Sequence, residues 1–491
     1  MTPARLVLFA AYFACMALLA IYGLHRLYLL LLHRRHRHET PSPPAEAPGP
    51  LPMLTVQIPI YNEIYVAGRA IDAACALDYP RDRLEIQILD DSTDGTRDLC
   101  RTKVEECRAA GHRILHLARA RRAGFKAGAL AEGLKVARGK FVAIFDADFV
   151  PPRDFARRIL PFFADCSVGM VQARWEHLNR DQSALTRAQS IFLDGHFLIE
   201  QTARNRSGRF FNFNGTAGIW RRECIETSGG WQHDTLTEDL DLSYRAQMAG
   251  WRFLFLPDIA APAELPAQMN AFKTQQHRWA KGSIQTAIKL LPDLLRSGLP
   301  AAIKVEAFFH LTANVAYLLM VAASLLYFPV MRAREGMEWS RLLALDLPML
   351  FLGTGSVLAF YLVSQREARS GWIATLCRLP CLMSVGIGLC VNNTQAVLEA
   401  ALGRTTDFIR TPKPIRQEAR SVPRRYRGRL SPLVCLEAAG AIYFGFILTY
   451  ALRRGIYASL PFALLFFSGF LYSAACSLGE ALHSGIREAG S

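Results

Sequence analysis

The eleven cysteines of this chain form no Cys-x-x-Cys pair and no His/Cys run with zinc-ligand spacing. That argues against a structural zinc module and against a secreted disulfide framework; the thiols read as reduced and mostly structural. No Gly-x-Gly-x-x-Gly follows the first strand-like run, so a dinucleotide-binding domain is not expected. Charge is also scarce, with 20% of the 491 residues Asp, Glu, Lys or Arg against 51% hydrophobic. Such a chain is too apolar for an ordinary soluble enzyme, yet no long uncharged run lies between residues 50 and 300. The apolar excess is concentrated on either side of that interval.

Leu6–Leu24, Ala307–Val330 and Ile456–Leu478 contain no Asp, Glu, Lys or Arg, and each is long enough to cross roughly 30 Å of hydrocarbon as a helix. Leu347–Val363 and Leu433–Leu452 are weaker candidates, the second holding Glu437. Leu6–Leu24 is too long for a signal-peptide core and lacks a small-residue cleavage site, so it reads as a retained anchor. The basic block His33–His38 behind it fits the cytosolic side. A net charge of +15 is compatible with nucleic-acid binding, but the basic clusters, His33–His38 and Arg424–Arg429, adjoin membrane segments. Topology and anionic lipid account for them, and no basic-aromatic binding module is present. Keeping 404–429 in the cytosol requires Thr375–Leu402 to lie at the interface or re-enter. The sequons at Asn205, Asn214 and Asn392 would then stay unmodified.

Four regions follow: a membrane helix over 1–38, a Pro-rich linker over 39–52, a water-soluble domain over 53–300, and a membrane region over 301–491. Within the soluble part, strand-like "LTVQIPIY", "LEIQILDDS", "RILHLARA" and "KFVAIFDADFV" alternate with helical patterns. That alternation predicts an α/β fold with a parallel sheet, whose ligands bind outside the carboxyl ends of the strands. Asn62–Glu63, Asp90–Asp91 and Asp146–Asp148 fall at those ends.

Asp146 and Asp148, two apart at a strand end, are expected on one face of extended chain, where hard oxygens suit Mg²⁺ or Mn²⁺ bearing a diphosphate. Asp90 and Asp91 are placed to accept hydrogen bonds from a base or ribose, although a polar turn would use the same residues. Lys126, at a predicted helix start, would meet a phosphate as a point charge. Asp239, at the head of the helical "LDLSYRAQMAG", is the candidate base for a hydroxyl; Asp241 points elsewhere and reads as structural. Arg278 offers a planar fork to a diphosphate, and Trp279 a flat face to a sugar ring.

The series "DD", "DAD", "TED" and Q-x-x-R-W before a membrane helix resembles the processive family 2 glycosyltransferases, the cellulose synthases and their relatives. The phrases "LDDSTDGT", "AGFKAGAL" and "FNFNGTAGIWR" look most like synthases of β-mannan, glucomannan and β-glucan backbones. "FIRTPK" is similar to their cytosolic gating loop, with Arg410 and Pro412 as departures.

The resemblance implies a GT-A type parallel-sheet cytosolic domain over 53–300 and a channel region with interfacial helices over 301–491. It implies an inverting, metal-dependent hexosyltransferase that adds mannose or glucose from GDP-mannose or UDP-glucose to a growing β-glycan, and exports the chain. By position, Asp90, Asp91, Lys126, Asp146 and Arg278 would bind the nucleotide sugar, and Asp146 and Asp148 the Mg²⁺ or Mn²⁺. Asn214, Gly215, Thr216, Gln275 and Trp279 would bind the acceptor. Asp239 would be the catalytic base, and Phe408, Thr411 and Lys413 the closing loop. The membrane would be the bacterial inner membrane, or Golgi or plasma membrane in a eukaryote. Membrane lipid is the remaining partner; homo-oligomer formation and any export partner are not legible. No cyclic-dinucleotide domain is expected in cis after the last membrane helix. The rivals are a non-processive lipid glycosyltransferase of the ceramide type and a hyaluronan- or chitin-type N-acetylglucosaminyl polymerase. A transporter is disfavoured because no internal repeat is present.

Overall fold

Residues 2–43, 50–335, 348–349, 351–404 and 431–488 are described by the computed structural model of the chain. The loop residues Phe408, Thr411 and Lys413 lie outside the described residues.

Among the described residues, seven strands form one sheet: β1 (Leu54–Ile60), β2 (Leu84–Asp90), β3 (Arg113–Ala118), β4 (Phe141–Ile144), β5 (Val168–His177), β6 (Gly218–Arg221) and β7 (Arg252–Ala263). Their order is β3-β2-β1-β4-β6-β5-β7. β1 to β4 are mutually parallel, and β5 runs parallel to β7, but β6 is antiparallel to both its neighbours β4 and β5. The expected parallel sheet is therefore a mixed one. The short β6 inserts between β4 and β5 and carries no signal of its direction in its four residues.

β1 and β2 are almost wholly buried because both sheet faces are covered. One face packs Val56, Ile58, Ile86 and Ile88 against Phe155 and Ile159. The other packs Val142, Ile144 and Trp220 with Leu130, Phe211 and Leu242. This two-sided core fixes the strands, so their carboxyl ends open at one edge as a stable rim.

Three helices then aim side chains at that rim. Phe125–Val136 begins at Gly124, whose φ of 69° lets the chain turn sharply into the helix. Glu238–Met248 begins directly after Thr237. Met269–Arg296 is a long helix that leaves the sheet domain and packs against Cys390–Ala401.

Among the described residues, five helices are long and apolar enough to cross a membrane: Pro3–His36, Val315–Ala333, Trp372–Ala401, Val434–Arg454 and Tyr457–Leu482. Trp372–Ala401 consists of two helices meeting at Leu389, with Arg378 and Glu399 its only charged residues; its length and composition would allow it to cross a membrane. The candidate Leu347–Val363 is represented by the helix Ser356–Glu367, preceded by a π-helical turn over Phe351–Gly355. The N-terminal helix packs along Val315–Ala333 and Ser356–Glu367.

Candidate active site

The strand ends and the three helices enclose one cleft lined by Asp91, Lys126, Asp146, Asp148, Asn214 and Gly215. Asp239, Gln275, Arg278 and Trp279 complete its lining. Residues from six separate stretches of sequence thus meet in one space.

Not every expected residue reaches it. Asp90, the last residue of β2, is fully buried. Its Oδ1 accepts from the Ser92 N–H at 2.8 Å, and its Oδ2 pairs with His116 Nε2 at 2.8 Å. Burial alone would raise its pKa, but these hydrogen bonds outweigh it and hold the carboxyl below its usual value. Asp90 therefore braces the turn from beneath, and only its neighbour Asp91 faces the cleft. Asp91 is held by Arg119, which donates Nε at 2.8 Å and Nη2 at 2.5 Å in a two-pronged pair.

The "DAD" geometry also differs from expectation. β4 ends at Ile144, and the Phe149 N–H donates to the Asp146 carbonyl at 3.0 Å, so Asp146–Asp148 form a turn rather than extended chain. The same-face argument fails, but the turn curls both carboxylates into the cleft. Asp146 is anchored by the Thr216 hydroxyl, which accepts its N–H at 2.9 Å. Thr216 itself is fully buried and absent from the cleft wall, so it supports Asp146 rather than meeting a ligand directly.

Lys126 donates to Asp146 Oδ1 at 2.6 Å and to the Gly215 carbonyl at 2.9 Å. Burial works against its charge, but Asp146 and Glu238 prevail and raise its pKa, so it is a fixed cation. Gly215 has φ of 80°, and a Cβ there would stand 2.9 Å from Asp239 Oδ2. Only glycine allows the backbone that close to the acid.

Asp239 sits in the first turn of its helix, with Oδ1 accepting the Leu240 N–H at 2.8 Å. Burial and the adjacent Glu238 push it up to about 7, with Lys126 pulling the other way. A carboxylate poised near neutrality is what general-base chemistry at physiological pH requires. Asp241 faces away as expected, paired with Arg245 at 2.7 Å and Lys289 at 2.9 Å. Asp234 pairs with the same Lys289 at 2.8 Å, outside the cleft.

The Thr237 loop is fastened to Met269–Arg296: Gln285 accepts the Leu236 N–H at 2.9 Å, and a Cβ on Gly282 would lie 2.5 Å from Thr237 Cγ2. That close approach brings Gln275, Arg278 and Trp279 opposite Asp239. Burial lowers the pKa of Arg278, while Glu238, Asp146 and Asp239 act to keep it charged.

Several lining residues have no role assigned from the sequence alone. Arg122 lies over the Tyr61 ring at 3.4 Å from its centroid, giving the cleft a stacked cation beside the first strand end. Trp175, at the end of β5, stands 6.4 Å from Trp279, ring centre to ring centre, and forms an aromatic wall with it. Glu238 faces the cleft beside Asp239. Arg122 follows a basic run and Trp175 ends a strand; those were the available signals.

The donor set suits a hard divalent cation. Asp148 and Asp146 offer carboxylate oxygens, and among the described residues no group of three His, Cys, Asp or Glu forms a complete cage. The missing ligands would have to be phosphate oxygens of a bound substrate, the usual arrangement for Mg²⁺.

A family model described as "Glycosyltransferase like family 2" matches residues 51–282. Glucomannan 4-beta-mannosyltransferase 2 of Arabidopsis thaliana is 45% identical over 251 residues, covering 50% of this chain and 47% of that protein. Glucomannan 4-beta-mannosyltransferase 1 of Oryza sativa subsp. japonica is 43% identical, over 50% of this chain and 48% of its own length. The chain spans about half the length of the curated relatives it matches. A mannosyltransferase of Pyrobaculum calidifontis, solved with GDP-Man and Mn2+, superposes with a TM-score of 0.57 at 22% identity, over 81% of this chain and 100% of that one. That likeness bears on the fold, which is of the GT-A kind. Residues 51–282 are thus similar to the family 2 glycosyltransferases, and half of the chain is similar to the glucomannan 4-beta-mannosyltransferases.

Proposed function

We propose that the protein is an inverting β-glycan synthase of the membrane, transferring mannose or glucose from a nucleotide sugar to the end of a growing chain. The observation that carries this reading is the meeting of Asp239, Lys126 and Arg278 with the two aspartates of "DAD" in one cleft. The relatives' names favour mannose and a β-1,4 linkage.

The nucleotide rests against Asp91 and the Tyr61–Arg122 stack. Asp146 and Asp148 would hold Mg²⁺ or Mn²⁺ beside the donor diphosphate, where such a cation would supply charge neutralisation for the leaving group. Asn214, Gly215, Gln275 and Trp279 hold the acceptor's terminal sugar. Asp239 removes the proton of the acceptor hydroxyl as that oxygen attacks the anomeric carbon. The bond to the diphosphate breaks on the opposite face, so an α-linked donor yields a β-linkage. Arg278 and Lys126 stabilise the departing diphosphate from fixed positions, where preorganised charge is most effective. The cleft faces the cytosol, and the membrane helices carry the polymer outward.

Purified protein supplied with radiolabelled GDP-mannose, UDP-glucose or UDP-N-acetylglucosamine, with Mg²⁺ or Mn²⁺, tests this reading. We expect a long product from one of the hexose donors, cut by an endo-β-1,4-glycanase and abolished by EDTA. A product confined to single sugars on lipid, or transfer from UDP-N-acetylglucosamine alone, would overturn it.

A further inference from the structure

Asn214 is fastened by a segment to which the mechanism above assigns no task. Gly195–Gln201 form a π-helical turn between the helices Ala184–Asp194 and Thr202–Arg206. Such widened turns concentrate at functional sites. Gln201 is fully buried, and its Nε2 donates to the Asn212 carbonyl at 2.9 Å and to Asn214 Oδ1 at 2.8 Å. With its oxygen engaged in this way, Asn214 turns Nδ2 towards His196 Nε2, 2.9 Å away. Nε2 must then accept, so the ring proton resides on Nδ1, which donates to Glu200 Oε2 at 3.1 Å.

Glu200 is the terminus of this chain of donors. Arg204, 3% exposed, reaches Glu200 Oε2 with Nη1 at 3.4 Å and donates Nε to Glu306 Oε1 at 2.8 Å. Burial alone would raise the Glu200 carboxyl, but Arg204 and His196 hold it well below the usual range. An ionised Glu200 can only accept. Every hydrogen bond in the series therefore runs one way, from Gln201 through Asn214 and His196 to Glu200. Asn214 keeps one N–H and one oxygen lone pair for the cleft it lines, and their places cannot exchange without breaking two bonds.

We infer that His196, held by Glu200 as the tautomer protonated on Nδ1, is a positioning residue that fixes the Asn214 amide for the hydroxyls of the acceptor sugar. The inference rests on the proposed reading of the cleft as a glycosyl-transfer site. A sugar hydroxyl both donates and accepts, so an amide locked in one orientation can distinguish its register, whereas a flipping amide cannot.

The test uses full-length protein in detergent, with whichever of GDP-mannose or UDP-glucose the wild type consumes, and β-1,4-mannotriose or cellotriose as acceptor. His196→Leu should raise the acceptor KM about tenfold, as loss of one oriented hydrogen bond implies. The Kd for GDP or UDP should change by less than about twofold. His196→Gln, whose Oε1 can accept where Nε2 did, should restore the acceptor KM to within about threefold of wild type. An unchanged acceptor KM in His196→Leu overturns the inference. So does a parallel loss of nucleotide binding, or a Gln variant as defective as Leu. If His196→Leu fails to fold, Glu200→Gln, which releases the tautomer, should raise the acceptor KM with nucleotide binding intact; no rise overturns the inference. A wild type that transfers from neither donor overturns the proposed function and this inference with it, whereas normal transfer with indifferent variants sinks the positioning role alone.

Discussion

Asp239 and Glu238 are neighbouring carboxylates lining one cleft, and their proximity has a thermodynamic cost. The carboxyl of Asp239 ordinarily titrates near 3.8 but is pushed up to about 7 in the fold. For an acid shifted upward, the folded state disfavours the ionised form. The penalty is absent below the unfolded pKa, grows as pH rises from about 4 to 7, and is complete above 7. Asp239→Asn should therefore stabilise the protein at pH 8, by on the order of 2 kcal/mol, and hardly at pH 4. Thermal melts at the two pH values, without donor or metal, measure this. An equal or larger gain at pH 4 would show that the carboxylate is not strained. Strain of this kind is where a functional site gives up stability for chemistry.

At the scale of elements, Met269–Arg296 has two faces with different tasks. Gln275, Arg278 and Trp279 line the cleft. Lys273, His277 and Lys281, spaced by four, face the membrane helices instead. Lys273 pairs with Glu437 at 2.6 Å; His277 and Lys281 meet Glu399 at 3.4 and 3.0 Å. The position of Arg278 is thus set by ion pairs on the opposite side of its helix. Glu437→Gln strips a buried lysine of its counter-charge and should cost about 3 kcal/mol. Replacing both partners by Met and Leu should recover most of that. Melting in detergent reads both effects; a double variant as unstable as the single one would refute the pairing argument. Gly282→Ala puts a methyl group into Thr237 and should push the helix away from the Asp239 loop. We expect at least a tenfold loss of transfer with nucleotide binding retained, measured by turnover and titration, since displacements of about 1 Å can cost rates of that order. Undiminished turnover would mean that the contact is slack.

For the molecule as a whole, the order of acidic strand ends, "TED" and Q-x-x-R-W was legible in the sequence because each motif is local. The cleft that collects them was legible too, because parallel strands put their carboxyl ends on one rim. What stayed hidden depends on contacts between distant segments. The antiparallel β6 is four residues long and owes its place to β4 and β5. Asp90 and Asp91 look equivalent as letters, and His116 and Arg119 separate them into a buried brace and a cleft residue. The aromatic wall needs Trp175 and Trp279 from unrelated stretches. For Trp372–Ala401 the charge of 404–429 argues for the interface while length and composition permit crossing, and neither signal is local enough to decide between them.

The claim that unites these scales is that Asp239 deprotonates the acceptor within this cleft. It is tested most directly by comparing polymer made from the preferred donor by wild-type protein and by Asp239→Asn, at saturating donor and matched nucleotide binding. Loss of the general base should lower synthesis by about 10² to 10⁴-fold while GDP or UDP still binds. Synthesis by the variant within a few-fold of wild type would contradict the account.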